Sequence, residues 1–190
     1  MRPLIYYVAC TVDGYIARTD GSFDFALASG EHLADLMRAF PETVPTHLRA
    51  PSRVTAPNQV FDTVLMGRAT YEVGVALGVT SPYTHLRQYL FSQTLGRSPD
   101  PHVELVHDDV LATVQALKRE SGKAIWLCGG ARLAGAIAGE IDEFILKINP
   151  VVIGSGIPLV AGTAHDLALA LVEDRNYANG FALRRYRVTR

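Results

Sequence analysis

Hydrophobic positions along the chain change their period repeatedly, and each change marks an element. Residues 6–12 form a short apolar run with β-branched and aromatic members, closed by the turn pair Asp13-Gly14. A second turn pair, Asp20-Gly21, follows Tyr15-Ile16-Ala17. The spacing of Leu33, Leu36, Met37 and Phe40 predicts a helix, with Ser29 as its N-cap. Residues 41–58 carry Pro41, Pro45, Pro51 and Pro57 with no period, which reads as an excursion or lid-like loop. Residues 61–66 read as a buried strand, and Gly67 opens a helix reaching Leu77. Short strands follow at residues 89–91 and 103–106.

The clearest helical stripe is Val110, Leu111, Val114 and Leu117. Asp108 and Asp109 open that helix, Lys118 and Arg119 complement its C-terminal dipole, and Gly122 stops it. Residues 124–127 form another apolar strand, delivering Cys128-Gly129-Gly130 to a helix of small residues that permits close backbone approach. A longer strand is expected over 144–153, interrupted or bent at Pro150, and residues 167–188 read as two antiparallel strands joined at Asn179-Gly180. Strands alternating with helices imply an α/β fold, a mainly parallel sheet with an antiparallel hairpin at its edge.

Composition narrows the function. The 190 residues suit one domain spanning 1–190, and 48% hydrophobic residues supply a sizeable core. Eighteen Lys and Arg against 19 Asp and Glu give no basic field, so neither nucleic acid nor an anionic membrane is expected as a partner. No apolar run reaches membrane-span length and no signal-peptide pattern develops, so a soluble, cytoplasmic protein is expected. Two cysteines, Cys10 and Cys128, make no disulfide scaffold and read as small buried hydrophobes; Trp126 reads as core. The six histidines are scattered, without metal-ligand spacing, and no metal is expected. Nucleophile-elbow, P-loop and ordinary dinucleotide fingerprints are missing.

Two glycine-marked strand-to-helix junctions remain, Met66-Gly67-Arg68-Ala69-Thr70 and Cys128-Gly129-Gly130-Ala131. Glycine there lets the backbone approach a pyrophosphate, helix-start N–H groups favour an anion, and Arg68 with Thr70 adds charge-assisted bonds. The bland alternative is a pair of tight turns beneath packed helices.

In order along the chain, the segments 9–17, 20–25, 64–72, 81–83 with 90–95, 129–133, and 141–143 running on to 150–159 resemble dihydrofolate reductase-like proteins. The resemblance is closest to stand-alone relatives of the reductase domain of the bifunctional riboflavin-biosynthesis deaminase-reductase. It implies a three-layer α/β domain that binds NADPH at the C-terminal strand ends and transfers a hydride to a pteridine-, pyrimidine- or related small heterocyclic substrate. It also implies a homodimer. By the same resemblance the backbone of Ala9 and Ile16 holds the nicotinamide carboxamide. Gly67, Arg68 and Thr70 meet phosphates, Ser92 and Gln93 lie at the adenosine end, and Gly129 with Gly130 receives the pyrophosphate. Tyr15 stands where riboflavin-pathway reductases usually carry lysine, which argues against that pathway's ribosylated pyrimidine. Gln93 stands where relatives often carry arginine, which weakens discrimination for the 2′-phosphate and leaves NADH possible.

Related reductases orient substrate with a carboxylate after the first strand. The candidates here are Asp24, Glu31 and Asp35. Asp24 lies between Phe23 and Phe25, where an apolar surround would raise its pKa toward general-acid use; its alternative is a turn or cap. Glu31 and Asp35 share a helix face and read as a solvated edge. Asp13 is a turn residue that the resemblance puts at the mouth of the site. The rivals to this reading are a reductase of an unrelated carbonyl or imine and a non-catalytic nucleotide-binding module.

Overall fold

A computed structural model describes residues 1–190. Ten strands are present: β1 (Leu4–Thr11), β2 (Tyr15–Ala17), β3 (Phe61–Gly67), β4 (Arg87–Phe91), β5 (Val103–Val106), β6 (Ala124–Gly129), β7 (Glu143–Asn149), β8 (Ile157–Pro158), β9 (Ala168–Asn176) and β10 (Ala182–Thr189). Five helices accompany them: α1 (Glu31–Ala39), α2 (Thr46–Arg49), α3 (Arg68–Ala76), α4 (Val110–Arg119) and α5 (Ala131–Ala136). Eight strands form one sheet in the order β5-β4-β3-β6-β1-β7-β10-β9, and β2 pairs with β8 separately. Strands β5 through β7 of that order run parallel; β10 and β9 close the edge as an antiparallel hairpin. This is the α/β architecture expected. No helix is long and apolar enough to cross a membrane.

A strand in the middle of a parallel sheet is covered on both faces, so its sequence loses alternation. In β1, Leu4, Tyr6 and Val8 enter one core with α4 and α5 residues such as Val114, Leu117 and Ile137. Ile5 and Tyr7 enter the other, with Leu36 of α1, Phe40 and Tyr71 of α3. Trp126 lies in this second core, as expected, and its indole N–H donates to the Tyr7 carbonyl at 2.9 Å. The small residues of α5 do permit close approach: a Cβ on Gly135 would fall 1.7 Å from the Ala161 carbonyl oxygen.

Two expectations need correction. Gly30, not Ser29, precedes α1, with φ of +132° and no side-chain cap; a Cβ there would collide with His32 and Asn179. Asp109 does open α4 as its N-cap residue, in left-handed backbone and without a side-chain bond. β7 is interrupted at Pro150, one of the two readings of that position: it ends at Asn149, because Pro150 has no N–H to continue the ladder.

The second correction is the proline-rich segment, which is a clipped substructure rather than a lid. It holds a short 3₁₀ turn, Pro41–Thr43, and α2. The fully buried Glu42 carboxylate accepts backbone N–H bonds from Gln59 (3.0 Å), Val60 (2.6 Å) and Phe61 (2.6 Å). Arg49 donates to the carbonyls of Pro41 and Ala56, drawing the segment's two ends together. Glu42→Ala leaves three donors beside a buried strand unsatisfied, at about 1–3 kcal/mol each in the worst case. We expect this variant to lose about 3 kcal/mol in urea denaturation and Glu42→Gln, which keeps one acceptor, to lose less. Equal stability of the alanine variant and the parent would show that the segment is held by something else.

Candidate functional site

Six parallel strands end at one edge of the sheet, so Thr11, Gly67, Phe91, Val106, Gly129 and Asn149 close their strands on the same side. Ligands of open α/β sheets collect at that side. Just short of it, the burial of the central strands breaks. In β1 only Ala9 is incompletely buried, in β6 only Cys128, and in β7 the break includes Lys147. Ala9 is the register partner of Lys147. Leu27, Tyr83 and Cys128 pack, partly buried, against the second core around this opening. The result is an open floor of sheet, lined by residues from three strands.

That floor has unusual electrostatics. Lys147 Nζ stands 4.2 Å from the centroid of the Tyr7 ring. Burial draws its amine down to about 8, and the neighbouring Cys128 and Cys10 oppose that only weakly. Burial likewise pushes the Cys128 and Cys10 thiols up to about 11, so both are neutral. The Tyr83 hydroxyl is raised well above its ordinary value, by burial first and then by Cys128. Asn149, 1% exposed, ties the floor to its roof: its carbonyl accepts the Leu27 N–H at 2.9 Å, and its amide donates to the carbonyls of Cys10 and Lys147 at 3.3 Å.

Beside the floor lies a cradle made of backbone. Gly67 is the residue before α3, and it faces the Gly129–Gly130 peptide, which is cis. A Cβ on Gly67 would sit 3.2 Å from Gly130 N and 3.4 Å from Gly129 O. Gly129 has φ of +149°, and its Cβ would lie 3.1 Å from Thr70 Oγ1. No side chain caps α3, so its first N–H groups stay free for an anion. Arg68 bridges this cradle to the next strand end: Nε pairs with Glu72 at 2.6 Å and Nη1 donates to Thr94 Oγ1 at 2.6 Å. The structure thus brings Gly67, Arg68, Thr70, Gly129 and Gly130 together, and this donor-rich hollow, walled by glycine backbone and the Thr70 hydroxyl, fits the diphosphate of a dinucleotide. Ser92 Oγ is turned inward and accepts the N–H of Leu95 (3.2 Å) and Thr94 (3.4 Å), shaping the turn; Gln93 is exposed.

The carboxylates sit at the rim. Asp13 is held below its ordinary carboxylate range by the Thr11 hydroxyl and by the N–H groups of Gly154 and Ile153. It clasps the loop after β1 to the loop after β7, the Gly154 bond measuring 2.8 Å. Ile16 lies in β2, whose pairing with β8 extends this clasp. The apolar surround expected for Asp24 is not found. Its side chain is 71% exposed and paired with Arg18 at 2.8 Å, and Phe23 is exposed too. An aspartate between phenylalanines is buried only if an element packs there, and residues 18–30 form no strand or helix. Glu31 is exposed; Asp35 pairs with Arg38 at 3.0 Å and accepts from the Tyr177 hydroxyl at 3.2 Å. No group of three His, Cys, Asp or Glu stands at metal-ligand geometry. Sequence reasoning missed Lys147, Asn149 and Tyr83. The alternation of 143–149, which sets Lys147 and Asn149 on the face of Ile145, was the available signal.

The chain is similar to known proteins over nearly its whole length. The family model of the RibD C-terminal domain matches residues 2–183. YwjB, an uncharacterized protein of Bacillus subtilis (strain 168), is 33% identical over 184 residues, 96% of each chain. Among solved structures, a Shewanella sp. PV-4 protein shares the fold with a TM-score of 0.71 and 21% identity over 98% of both chains. A diaminohydroxyphosphoribosylaminopyrimidine deaminase/5-amino-6-(5-phosphoribosylamino)uracil reductase from Thermotoga maritima has a TM-score of 0.64 and 18% identity, covering 99% of this chain and 57% of its own.

The Asp13 clasp has a pH signature. Its lowered pKa means that the carboxylate's bonds are present above the ordinary carboxylate range and are lost as pH falls through the folded value. Hydrogen exchange should show the Ile153 and Gly154 amides better protected in the parent protein than in Asp13→Ala at pH 6. That difference should persist through the ordinary carboxylate range and shrink only as pH falls below it. Equal protection at pH 6 would remove the clasp.

Proposed function

The chain belongs to the RibD C-terminal domain family, and on that premise we propose that it is an NADPH-dependent reductase of a pteridine-, pyrimidine- or related small heterocyclic substrate. The observation that carries the reading is the glycine cradle opening beside the uncovered floor at the C-terminal strand edge. A cradle suits the diphosphate, and a partly apolar floor suits a flat ring system. Gly67, Gly129 and Gly130 would hold the diphosphate with Thr70. Arg68 supplies the cation toward the adenosine end, near Ser92 and Gln93. The backbone of Ala9 and Ile16 would hold the carboxamide.

When bound, the cofactor supplies a hydride. The chain's own residues orient the two rings and keep water out: Asn149 fixes Leu27 over the floor, and the Asp13 clasp fixes the facing loop. Asp13 and Asp24, both at the rim, would touch the exposed edge of a substrate rather than its reacting centre. The Thermotoga protein's name includes reduction of a ribosylated pyrimidine. Tyr15 argues for a substrate of the same ring class without that sugar. Use of NADPH accords with a cytoplasmic location.

NADPH titration followed by the emission of the single tryptophan tests the cradle, because Trp126 lies on the strand leading to it. A Cβ at Gly130 has 3.6 Å to Thr70 Oγ1, so Gly130→Val folds but fills the hollow, and binding should fall at least about tenfold. Arg68→Ala should narrow the preference for NADPH over NADH, and Gln93→Arg should widen it, both less so in high salt. A hydrogen bond to a charged group is worth about 1.5–3 kcal/mol, so each shift should approach or exceed tenfold. Unchanged affinity in a folded Gly130→Val protein would defeat the cofactor reading.

The proposal extends to a homodimer. β9 is an edge strand whose Leu169, Leu171 and Val172 are exposed, and soluble chains rarely leave such an edge uncovered. Sedimentation should give a dimer for the parent protein and a monomer for Leu171→Lys with Val172→Lys. A monomeric parent protein ends this part of the proposal.

A further inference from the structure

The chain has three lysines, and two of them are satisfied. Lys118, on the buried face of α4, donates to the Glu140 carbonyl at 2.6 Å and pairs with Asp142 at 2.8 Å. Lys123, exposed, reaches the Gln59 carbonyl at 3.3 Å. Lys147 meets no carboxylate and no carbonyl; its ammonium stands over the face of Tyr7, on the open side of the floor. A cation in a cleft that no protein acceptor engages is free to meet a ligand there.

The surroundings exclude a resident counter-ion from every side. From β1 come Tyr7 and Cys10, both held in their neutral forms by burial; from β6 comes Cys128, also neutral. Tyr83, bonded to Cys128, is neutral as well. β10 contributes Leu183, the register partner of Lys147. On α1, Asp35 is engaged by Arg38 and Tyr177, and His32 is stacked on Phe181 at 4.2 Å. The rim carboxylates are committed too, Asp13 to backbone amides and Asp24 to Arg18.

Building on the reductase reading above, we propose that Lys147 is the proton donor of the reaction. Its ammonium faces the ring nitrogen or enone oxygen of a substrate lying on the Ala9–Cys128–Lys147 floor. The substrate class is then a heterocycle with a polarised C=N, or C=C conjugated to C=O, whose heteroatom is an acceptor. The substrate carbon gains a hydride from the reduced nicotinamide, which leaves oxidised by two electrons. The heteroatom gains a proton from Lys147 Nζ, a C=N becomes CH–NH, and the neutral amine takes its proton back from water. An amine drawn down to about 8 is still protonated at neutral pH, yet releases its proton more readily than an ordinary lysine.

The test has one arm without turnover and one with it. Labelling with 2,4,6-trinitrobenzenesulfonate across pH, mapped by peptide mass, should modify Lys147 with a midpoint near 8, well below an ordinary lysine, and NADPH should shield it. The second arm follows NADPH oxidation with dihydrofolate, dihydropterin and 1-pyrroline as probes. Lys147→Met is nearly isosteric and removes the unpaired charge, so it should fold and bind NADPH within about twofold of the parent while losing roughly 100-fold in kcat. Lys147→Arg keeps the charge without a releasable proton, so KM should hold while kcat falls. Only the protonated amine can donate, so the parent's kcat should decline as pH rises through the lysine's pKa, and Lys147→Met should lose that limb. If the parent reduces a probe and Lys147→Met matches it, or if Lys147 titrates like an ordinary lysine, the lysine assignment fails alone. If the parent neither binds NADPH nor reduces any probe, the reductase reading fails and takes the assignment with it.

Discussion

Parallel pairing obliges six strands to finish at one edge of the sheet, where the ladder can no longer satisfy their backbone. Everything of chemical interest in this chain follows from what meets those ends. Two of them, at Gly67 and Gly129, pass directly into helices and leave peptide groups bare. Thr11 and Asn149 instead use side chains to bind the neighbouring loops, so the rim keeps its shape without help from the core. The same edge therefore offers free donors on one side and a braced wall on the other.

The opposite edge shows how the sequence treats charge when no ligand is intended. Arg2, 4% exposed, meets Asp62, the Thr63 hydroxyl and the Lys123 carbonyl, with Glu120 close by. Lys118 is enclosed by Glu140 and Asp142, and Asp142 also accepts the Leu4 N–H. Buried charges there are saturated, as desolvation demands. Lys147 differs from both: it is partly buried, and its ammonium meets neither a carboxylate nor a carbonyl.

Much of the architecture was legible because it rests on periods and punctuation. The strand-helix alternation, the Asn179-Gly180 hairpin with Gly180 at φ of +84° and the glycine junctions all read through. What did not read through depended on tertiary partners. Prolines in 41–58 signalled a loop, but the Glu42 carboxylate organises that stretch by accepting amides from residues near β3, a contact with no local trace. Asp24 looked enclosed because its neighbours are aromatic, and aromatic neighbours do not bury a residue unless a surface comes to meet them. Lys147 was overlooked because one lysine in an apolar strand resembles a solvent-facing position. Its parity with Ile145 placed it inward, and the missing roof over Ala9 and Cys128 made that position tenable.

The place of β1 in the sheet has a consequence for biosynthesis. It is made long before its partners, which are Ala124–Gly129 on one side and Glu143–Asn149 on the other. Until both have been made, Leu4–Thr11 is an apolar strand with two open edges and nothing to pair with. Contacts so distant in sequence slow folding and prolong the exposure of such segments. Within the eight-stranded sheet β1 thus waits longest for its partners, and the floor of the site cannot exist before the last parallel strand arrives.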